Sequence, residues 1–449
     1  MVKRILVIGF ARSGAAVAQL LINEGAVVTV SDPNLDIHAD TVAALQAAGV
    51  KFAHAQDTSL LADVDLIVKN PGIPYTIPIL LEAQKRGIEI VVEVAAAQRY
   101  IQGEWIAITG SNGKTTTTEM VAAVLRRQAT PNHRVYVAGN IGTPVAEVAP
   151  KMTATDTLVT ELSSFQLTGT PAVHPHIAIL TNIFASHLDW HGTRQNYIDA
   201  KMNITRNQTK ADYFLINWDN LEWRELAAQS PATVVPISRQ GLSQAGGYQV
   251  DGKLYFKTEY IMDAATIGVP GDHNIDNALM AIAVGRLSGV PIAEIVEVLK
   301  NFTGVEHRLQ LVREVAGRKV YNDSKATDIE ATQMALSGFK TPVVLLAGGL
   351  DRGDDQMRLA PEVQQHVRAV VTFGQTGPKV AEVANSLGLK TVAVPDATQA
   401  FGPAMELSEP GDIILLSPAA ASWDQFPDFE TRGDLFVQAV DDYIANNAQ

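Results

Sequence analysis

Short apolar runs recur along the whole chain, and most of them lead through a polar or glycine-containing turn into a segment with helical spacing. The runs indicate buried strands, because their apolar residues are largely continuous rather than alternating with polar ones. Regular alternation of such strands with helices predicts mostly parallel sheets covered by helices. The strand-like runs lie at residues 3–9, 27–30, 66–69, 89–94, 106–108, 136–138, 157–160, 177–180, 212–217, 233–237, 320–322, 343–346, 369–373, 391–394 and 413–416.

Two breaks in this pattern divide the chain into three predicted domains, in line with its length of 449 residues. Residues 98–104 have the character of a linker, and residues 302–304 end a predicted helix with a Phe-Thr-Gly sequence. A hairpin around the Asp251-Gly252 pair is predicted inside the central domain. We therefore expect an α/β protein with a Rossmann-like domain at residues 1–98, a central P-loop mononucleotide-binding domain at 99–304 and a second Rossmann-like domain at 305–449.

The first predicted strand leads into a turn bracketed by Gly9 and Gly14, and the second strand ends at Asp32. A strand–helix–strand opening with an acidic residue about 20 positions after the first glycine resembles a dinucleotide fingerprint. Ala11 occupies the position of the middle glycine, which makes the close approach of a pyrophosphate less easy. Three interpretations stay open: a nicotinamide dinucleotide site, a nucleoside diphosphate site, and a βαβ unit without a ligand.

The most informative segment is WIAITGSNGKTTTTEMVAAVL, residues 105–125. An apolar strand enters a glycine turn, and Lys114 and four threonines open a helix. This is the layout of a phosphate-binding loop, in which backbone N–H groups face an anion, the lysine reaches the terminal phosphates and Thr115 holds Mg²⁺. The full spacing of that motif is not met, because Ile108 lies where the first glycine belongs. An ordinary strand-to-helix turn is the alternative.

Further polar groups follow predicted strands of the central domain. Glu161 ends a strand downstream of the phosphate loop, where a carboxylate is a natural Mg²⁺ ligand, although an N-cap or an exposed acid is the alternative. His187, Asp189 and His191 crowd a later loop, and all three are potential metal ligands. Lys201 lies on the helix predicted directly after this loop.

The helix predicted within residues 268–287 carries Asn274 and Asn277 near its start. Because these residues are three apart, their side chains share a face of the helix. Their amide groups suit the edge of a purine, and helix capping explains the same residues equally well. Arg308 lies at the second domain boundary, where a residue that completes an active site on domain closure would lie.

Composition narrows the function classes. A net charge of −13 argues against a general nucleic-acid binder and against an anionic membrane surface. The absence of cysteine excludes disulfides, thiolate metal sites and a cysteine nucleophile. The apolar run that follows the first lysine and arginine is too short for a signal peptide, and no uninterrupted run approaches the ~20 residues of a membrane span. We expect a cytoplasmic monomer without nucleic-acid partners or membrane insertion.

Five motifs follow one another in a fixed order: TGSNGKTTTT, ELSSFQL, SHLDWHGT with Lys201 after it, GDHNIDNALMA, and EHRLQ followed by NDSKAT. Together they resemble the Mur ligase family of ATP-dependent amide-forming enzymes over nearly the whole chain. The opening GFARSG, the NPGIP turn and the closing SPAAASWDQFPDFETRGDLF resemble the members that join D-glutamate to UDP-N-acetylmuramoyl-L-alanine. The resemblance implies one domain for UDP, one for ATP and one for the incoming amino acid, with two Mg²⁺ ions at the ATP site.

The resemblance also implies roles for individual residues. Lys114, Glu161, His187 and Lys201 would be catalytic. Thr115, Glu161, His187 and Lys201 would bind Mg²⁺, with Lys201 carbamylated by CO₂, since an unmodified lysine would repel the metal. The residues implied in ATP binding are Gly110, Ser111, Asn112, Gly113, Lys114, Thr115, Thr116, Thr117, Asn274, Asn277, Arg308 and Asp323. The residues implied in binding the UDP substrate or D-glutamate are Phe10, Ala11, Arg12, Ser13, Asp32, Gly72, Asn140, Ser163, Lys325, Thr327, Ser422 and Phe429.

One loop departs from part of the family. Some members carry a lysine after the glycine pair of the third domain, where it helps to bind D-glutamate. Here the loop reads GGLDRGDD, and Arg352 is the nearest cation. The residue that contacts the glutamate side chain therefore stays open.

Three alternatives remain. Folylpolyglutamate synthase shares the phosphate loop and the carbamylated lysine, but it would not need the Rossmann-like first domain. A nicotinamide-dependent oxidoreductase would use the segment from Gly9 to Asp32 but would not need a second glycine turn with Lys-Thr. A regulator that binds ATP without chemistry would show Mg²⁺-dependent binding and no product.

Overall fold

The structure, a computed structural model, describes residues 2–35, 39–184 and 188–447. The chain forms two compact units, Met1–Thr266 with Asp276–Leu299, and Ile267–Ile275 with Lys300–Gln449. The first unit contains two sheets and the second unit contains one.

The first sheet is parallel throughout and has the strand order β3-β2-β1-β4-β5. Apolar residues cover both of its faces, because helices pack on each side. Its strands are β1 (Arg4–Ile8), β2 (Val27–Ser31), β3 (Lys51–Ala53), β4 (Leu66–Lys69) and β5 (Glu89–Val92).

The second sheet has the order β14-β13-β12-β11-β10-β9-β6-β8-β7, and only its β12-β13-β14 edge is antiparallel. The carboxyl ends of β6, β8 and β9 lie side by side, so the turns after them meet at one edge. Its strands are β6 (Glu104–Thr109), β7 (Val135–Gly139), β8 (Thr157–Glu161), β9 (Ile177–Leu180), β10 (Tyr213–Asn217), β11 (Thr233–Ser238), β12 (Gly247–Val250), β13 (Lys253–Phe256) and β14 (Glu259–Asp263).

The third sheet has the order β15-β16-β20-β17-β18-β19, and its edge pair β15-β16 is antiparallel. The parallel strands are buried on both faces by two apolar clusters. Its strands are β15 (Gln310–Val315), β16 (Arg318–Asn322), β17 (Val343–Gly348), β18 (Val367–Phe373), β19 (Lys390–Ala393) and β20 (Ile413–Leu416).

The α-helices connect these strands and cover the sheets. They are α1 (Arg12–Asn23), α2 (Ala39–Ala47), α3 (Pro78–Lys85), α4 (Glu93–Ala97), α5 (Lys114–Arg126), α6 (Val145–Val148), α7 (Ser164–Thr168), α8 (Leu188–His191), α9 (Arg194–Met202), α10 (Leu221–Ala227), α11 (Asp272–Leu287), α12 (Ile292–Asn301), α13 (Ile329–Ser337), α14 (Ala360–His366), α15 (Gly377–Ser386), α16 (Phe401–Leu407) and α17 (Phe429–Asn447).

The predicted fold class is confirmed, since the sheets are mostly parallel and helices alternate with strands. The hairpin around Asp251-Gly252 is present as β12 and β13. The strand predicted for residues 89–94 is two residues too long. It ends at Val92, whose N–H binds the Gly169 carbonyl, and Glu93 instead opens α4.

The described residues contain no helix that is both long and apolar enough to span a membrane.

Candidate active site

The phosphate loop joins β6 to α5, and two glycines give it its shape. Gly113 caps α5 in the left-handed region at φ 79°, and Gly110 has φ 147°. A Cβ atom at Gly110 would lie 1.8 Å from Thr181 Oγ1, and one at Gly113 would lie 2.7 Å from Asn277 Oδ1. Because the first N–H groups of a helix have no acceptor within the helix, this turn presents donors to an anion.

The residues directly after β9 hydrogen-bond the phosphate loop and hold it in place. The Asn112 N–H donates to Asn182 Oδ1 at 2.8 Å, and Thr181 Oγ1 donates to the Asn112 carbonyl at 2.6 Å. Ser111 Oγ shares a 2.9 Å hydrogen bond with the Tyr197 hydroxyl on α9. Sequence reasoning missed these supporting residues, since only the polar Thr-Asn pair after an apolar strand could have indicated them.

Two lysine ammonium groups converge on one carbonyl of the loop. Lys114 Nζ donates to the Gly110 oxygen at 3.0 Å and to the Ser111 oxygen at 2.9 Å. Lys201 Nζ donates to the same Gly110 oxygen at 2.7 Å. Lys201 is only 2% exposed, and burial together with the charge of Lys114 holds its pKa well below the usual range. Both effects favour the uncharged amine over the ammonium form of Lys201.

Glu161 ends β8 and is buried beside the loop. Its Oε2 accepts a 2.7 Å hydrogen bond from Thr115 Oγ1, and its Oε1 accepts one of 2.7 Å from Asn140 Nδ2. The Asn140 N–H also donates to the Glu161 carbonyl at 2.8 Å. Thr115, Asn140 and Glu161 thus form one oxygen-rich group at the start of α5, as hard divalent cations require.

The ELSSFQL segment continues from Glu161 into α7. Ser163 caps this helix in a capping box with Gln166, so its hydroxyl has a structural partner in this state. His191 Nε2 hydrogen-bonds Ser164 Oγ at 2.9 Å and is buried. The predicted metal ligand His187 lies outside the described residues.

The first sheet places its predicted substrate residues around the β1–α1 turn. The Phe10 N–H donates to Asp32 Oδ2 at 2.7 Å, and Ala11 caps α1. Arg12 donates to the Gly142 carbonyl at 2.9 Å, which connects this turn to the loop after β7. Ser13 follows in the first turn of α1.

Gly72 lies in the turn after β4, where its N–H donates to Asn70 Oδ1 at 3.1 Å. Lys69 precedes this turn, and its side chain is buried beneath it. Lys69 was not predicted from the sequence, where its one signal is a lysine at the end of an apolar strand.

Helix α11 carries the two predicted adenine-binding asparagines. Asn277 Oδ1 accepts a 3.0 Å hydrogen bond from Thr117 Oγ1 of α5. Asn274 Nδ2 donates to the Pro270 carbonyl at 2.5 Å. Both side chains are buried, and each has a protein contact in this state.

In the second unit, Asp323 follows β16 and is buried. Its Oδ1 accepts from the Leu309 N–H at 3.1 Å, and its Oδ2 accepts from Ser417 Oγ at 2.8 Å. Burial raises the pKa of Asp323 to about 7, although these hydrogen bonds and the charge of Arg308 act in the opposite direction. A cation or a nucleotide hydroxyl placed beside Asp323 would therefore change the protonation of its carboxyl group.

The other predicted amino-acid-binding residues also belong to the second unit. Lys325 Nζ lies 5.4 Å from the centre of the Phe429 ring, and the Thr327 N–H donates to the Lys325 carbonyl at 2.9 Å. The Ser422 carbonyl accepts the N–H of Phe426 at 2.8 Å. Sequence reasoning missed Arg432, which is fully buried and donates to the Ser324 and Ala420 carbonyls.

Arg352 lies in the loop that departs from part of the family. Its guanidinium carbon is 4.8 Å from the ring centre of Trp423, which is 64% exposed. Among the described residues no carboxylate pairs with Arg352. The exposed Arg352 side chain therefore packs on the ring of Trp423, the residue that follows Ser422 in the sequence.

The chain has three sheets, and a phosphate-binding loop follows the carboxyl end of β6 in the second sheet. These features define a multidomain nucleotide-binding α/β protein. Residues 3–92 match the Mur ligase MurD-like N-terminal domain, 108–285 the Mur ligase middle domain and 307–420 the Mur ligase glutamate ligase domain. The chain belongs to the Mur ligase family.

Relatives of similar length support this assignment. The UDP-N-acetylmuramoylalanine–D-glutamate ligase of Lactiplantibacillus plantarum is 51% identical over 442 residues, which cover 98% of this chain and 96% of the relative. The ligase of the same name from Pediococcus pentosaceus is also 51% identical, with the same coverage. Among solved structures, the UDP-N-acetylmuramate-alanine ligase MurC of Thermotoga maritima has a TM-score of 0.58 at 20% identity, covering 99% of this chain and all of that one. That likeness concerns the fold alone.

Proposed function

We propose that this protein is an ATP-dependent ligase that joins D-glutamate to UDP-N-acetylmuramoyl-L-alanine, a step in the synthesis of peptidoglycan precursors. The observation that carries the proposal is the pair of lysines on the Gly110 carbonyl beside the Thr115–Glu161 group. This arrangement suits the stabilisation of negative charge at a nucleotide phosphate. The choice of substrates rests on the relatives that share 51% of their residues with this chain.

The reaction needs activation of a carboxylate, because hydroxide is a poor leaving group at neutral pH. In the first step, the carboxylate of the UDP substrate attacks the terminal phosphorus of ATP, which gives an acyl phosphate and ADP. In the second step, the amine of D-glutamate attacks the acyl carbon, and phosphate leaves as the amide forms. No protein nucleophile is required in either step.

The residues of this chain stabilise charge rather than form bonds. The N–H groups at the start of α5 and the Lys114 ammonium donate hydrogen bonds to the phosphate oxygens. Ser111 and Asn112 of the loop and Thr116 and Thr117 of the first turn of α5 complete the proposed phosphate-binding set. On this account the loop already has its shape before ATP binds, because Asn182 and Thr181 hold Asn112.

We propose that two Mg²⁺ ions bind at this site. Thr115, Glu161, His187 and a carbamate on Lys201 would hold them, and bound Mg²⁺ would neutralise charge on the phosphates. Two observations support the carbamate: burial lowers the pKa of Lys201, which favours the unprotonated amine that reacts with CO₂, and a second cation beside Lys114 is unfavourable. Asn140 orients Glu161 through the 2.7 Å hydrogen bond.

Other residues bind the nucleotide and the UDP substrate. We assign Asn274 and Asn277 to adenine, and Arg308 and Asp323 to another part of the nucleotide. Phe10, Ala11, Arg12, Ser13, Asp32, Gly72, Asn140 and Ser163 are assigned to the UDP substrate. The hydrogen bonds of Asp32 and Asn70 to neighbouring N–H groups pre-form the two turns concerned.

D-Glutamate is assigned to the second unit. Lys325, Thr327, Ser422 and Phe429 would contact it, and Arg352 is the cation available for its side-chain carboxylate. The 4.8 Å separation of Arg352 from the Trp423 ring supports that role, because a stacked guanidinium keeps its N–H donors for a carboxylate. We place the protein in the cytoplasm and expect it to act as a monomer.

Phosphate release tests the proposal directly. The protein would be mixed with ATP, Mg²⁺ and UDP-N-acetylmuramoyl-L-alanine, and candidate amino acids would be added one at a time. Release with D-glutamate and not with L-lysine or meso-diaminopimelate is expected. Equal turnover with those amino acids would contradict the assignment of the acceptor.

A further inference from the structure

Lys69 is a buried cation without a carboxylate partner among the described residues. It ends β4, is 1% exposed, and donates to the carbonyl oxygens of Asn70, Pro71 and Ile73 at 3.2, 3.1 and 2.8 Å. These three bonds use all three hydrogens of the ammonium group. Burying a charge is costly, and burial lowers the pKa of Lys69 to about 8. The end of a strand does not need a buried ammonium group. We therefore look for the role of Lys69 in the turn whose carbonyl oxygens it binds.

That turn packs against the first glycine turn of the chain. A Cβ atom at Gly9 would lie 2.8 Å from Asn70 Cβ, so the two turns touch through a glycine. The Asn70 N–H donates to the Ile8 carbonyl at 2.7 Å, which continues the β1–β4 pairing into the turn. Lys69 therefore fixes the backbone at the edge where the first sheet presents its predicted substrate residues.

A chain of aromatic contacts leads from Lys69 to the phosphate loop. Lys69 Nζ lies 4.5 Å from the centre of the Tyr75 ring and 5.8 Å from that of Trp190 in α8. Trp190 meets His191 at 4.6 Å between ring centres, and His191 meets Tyr197 at 5.2 Å. We call Tyr75, Trp190, His191 and Tyr197 the aromatic bridge.

The Tyr197 end of the aromatic bridge contacts the phosphate loop and Lys201. The Tyr197 hydroxyl hydrogen-bonds Ser111 of the phosphate loop, and its ring lies 4.6 Å from Lys201 Nζ. Phe165 supports the middle of the bridge, with its ring 4.9 Å from Trp190 and stacked 5.4 Å from His191. The bridge thus connects the turn after β4 with the loop after β6 within one compact unit.

We propose that Lys69 and the aromatic bridge are positioning residues that hold the turn at residues 70–73 in register with the phosphate loop. The acid substrate bound at the turn then faces the terminal phosphate of ATP. This inference rests on the proposed function and gives Lys69 and the aromatic bridge a role in aligning the two substrates.

The two parts of this device have different kinetic signatures. Lys69→Met removes the donors that shape the turn, so the KM for the UDP substrate should rise about ten-fold or more, while the KM for ATP stays within about two-fold. Trp190→Leu leaves the turn intact and loosens its alignment with the loop. It should lower kcat about ten-fold or more with little change in either KM.

Matched variants separate positioning from folding. Trp190→Phe should keep most of kcat, because it retains an aromatic edge and the indole N–H has no partner among the described residues. Lys69→Arg should raise the KM for the UDP substrate less than Lys69→Met does, because the arginine donors can still reach carbonyl oxygens. Lys85→Met is the neutral control, since Lys85 is exposed at the end of α3 in the same sheet layer. Thermal midpoints are measured for every variant.

The outcomes distinguish failure of this inference from failure of the proposed function. An unchanged KM for the UDP substrate in Lys69→Met, or an equal kcat loss in Trp190→Phe and Trp190→Leu, would overturn the inference while wild-type activity upholds the proposed function. Parallel changes in all constants with a lower thermal midpoint would mean a structural role only and would also overturn it. A wild-type protein that does not turn over D-glutamate would overturn the proposed function, and the inference would fall with it.

Discussion

Replacing Lys201 with alanine tests the chemistry assigned to the phosphate loop. Lys201 and Lys114 both lie within 3.0 Å of the Gly110 oxygen, so their nitrogens are at most about 6 Å apart. At an effective dielectric constant of about 20, two like charges at that distance repel by about 3 kcal/mol. A carbamate at Lys201 changes this repulsion into an attraction of similar size. This change of sign is the physical reason for proposing the carbamate at Lys201.

We expect Lys201→Ala to lose activity by a factor on the order of 10², because one charge stabiliser is removed from the reacting phosphate. Short carboxylic acids such as acetate should restore part of the rate, since a free carboxylate can occupy the space of the carbamate. Lys210→Ala is the control, because Lys210 is an exposed lysine shortly after the same helix. The assay is phosphate release with and without added acid.

Full activity of Lys201→Ala without added acid would refute this reasoning. Mass spectrometry offers an independent check, since the carbamate adds one CO₂ to the wild-type protein under native conditions and not to Lys201→Ala. Activity loss that no carboxylic acid restores, together with an unmodified wild-type lysine, would contradict the carbamate while leaving the phosphate loop in place.

Three further predictions concern other parts of the chain. Lys114→Met should lower kcat by a factor on the order of 10² at an unchanged thermal midpoint, and a normal rate would remove Lys114 from the charge-stabilising set. Arg352→Met should raise the KM for D-glutamate about ten-fold without changing the KM for ATP, and an unchanged value would exclude the carboxylate contact. Burial alone would raise the pKa of Asp212, but hydrogen bonds from His174, Thr209 and His176 lower it from 3.8 to about 2. The contribution of Asp212 to the free energy of unfolding is therefore complete above about pH 4. It falls by about 2 kcal/mol as the pH decreases to 2. Asp212→Asn should flatten that acid dependence in unfolding measurements, and an unaltered profile would contradict the pKa assignment.

The strands of the parallel sheets were predictable because each combines a continuous apolar run with a turn signal. Ile177–Leu180 and Ile413–Leu416 match the predicted bounds, since both are buried and bounded by polar residues. The last helix, Phe429–Asn447, was not predicted. Its buried residues, Arg432, Gly433, Phe436 and Val440, have helical spacing, but the first two are an arginine and a glycine, which give no apolar signal.

The candidate site divides in the same way. Local sequence predicted the glycine turn, Lys114 and Glu161, because strand, turn and helix adjoin along the chain. Contacts between distant segments were not predictable from local patterns. The hydrogen bond between Ser111 and Tyr197 and the position of Lys69 under Tyr75 depend on how separate elements pack. The interactions of His187 lie outside the described residues, and its metal role stays a prediction.

Phosphate release in the presence of UDP-N-acetylmuramoyl-L-alanine is the most direct test of the account. With ATP, Mg²⁺ and D-glutamate, we expect stoichiometric formation of phosphate, ADP and an amide product. No release should occur when D-glutamate is replaced by another amino acid. Release with a different amino acid would keep the reaction class and contradict the acceptor, and no release with any amino acid would contradict the ligase function.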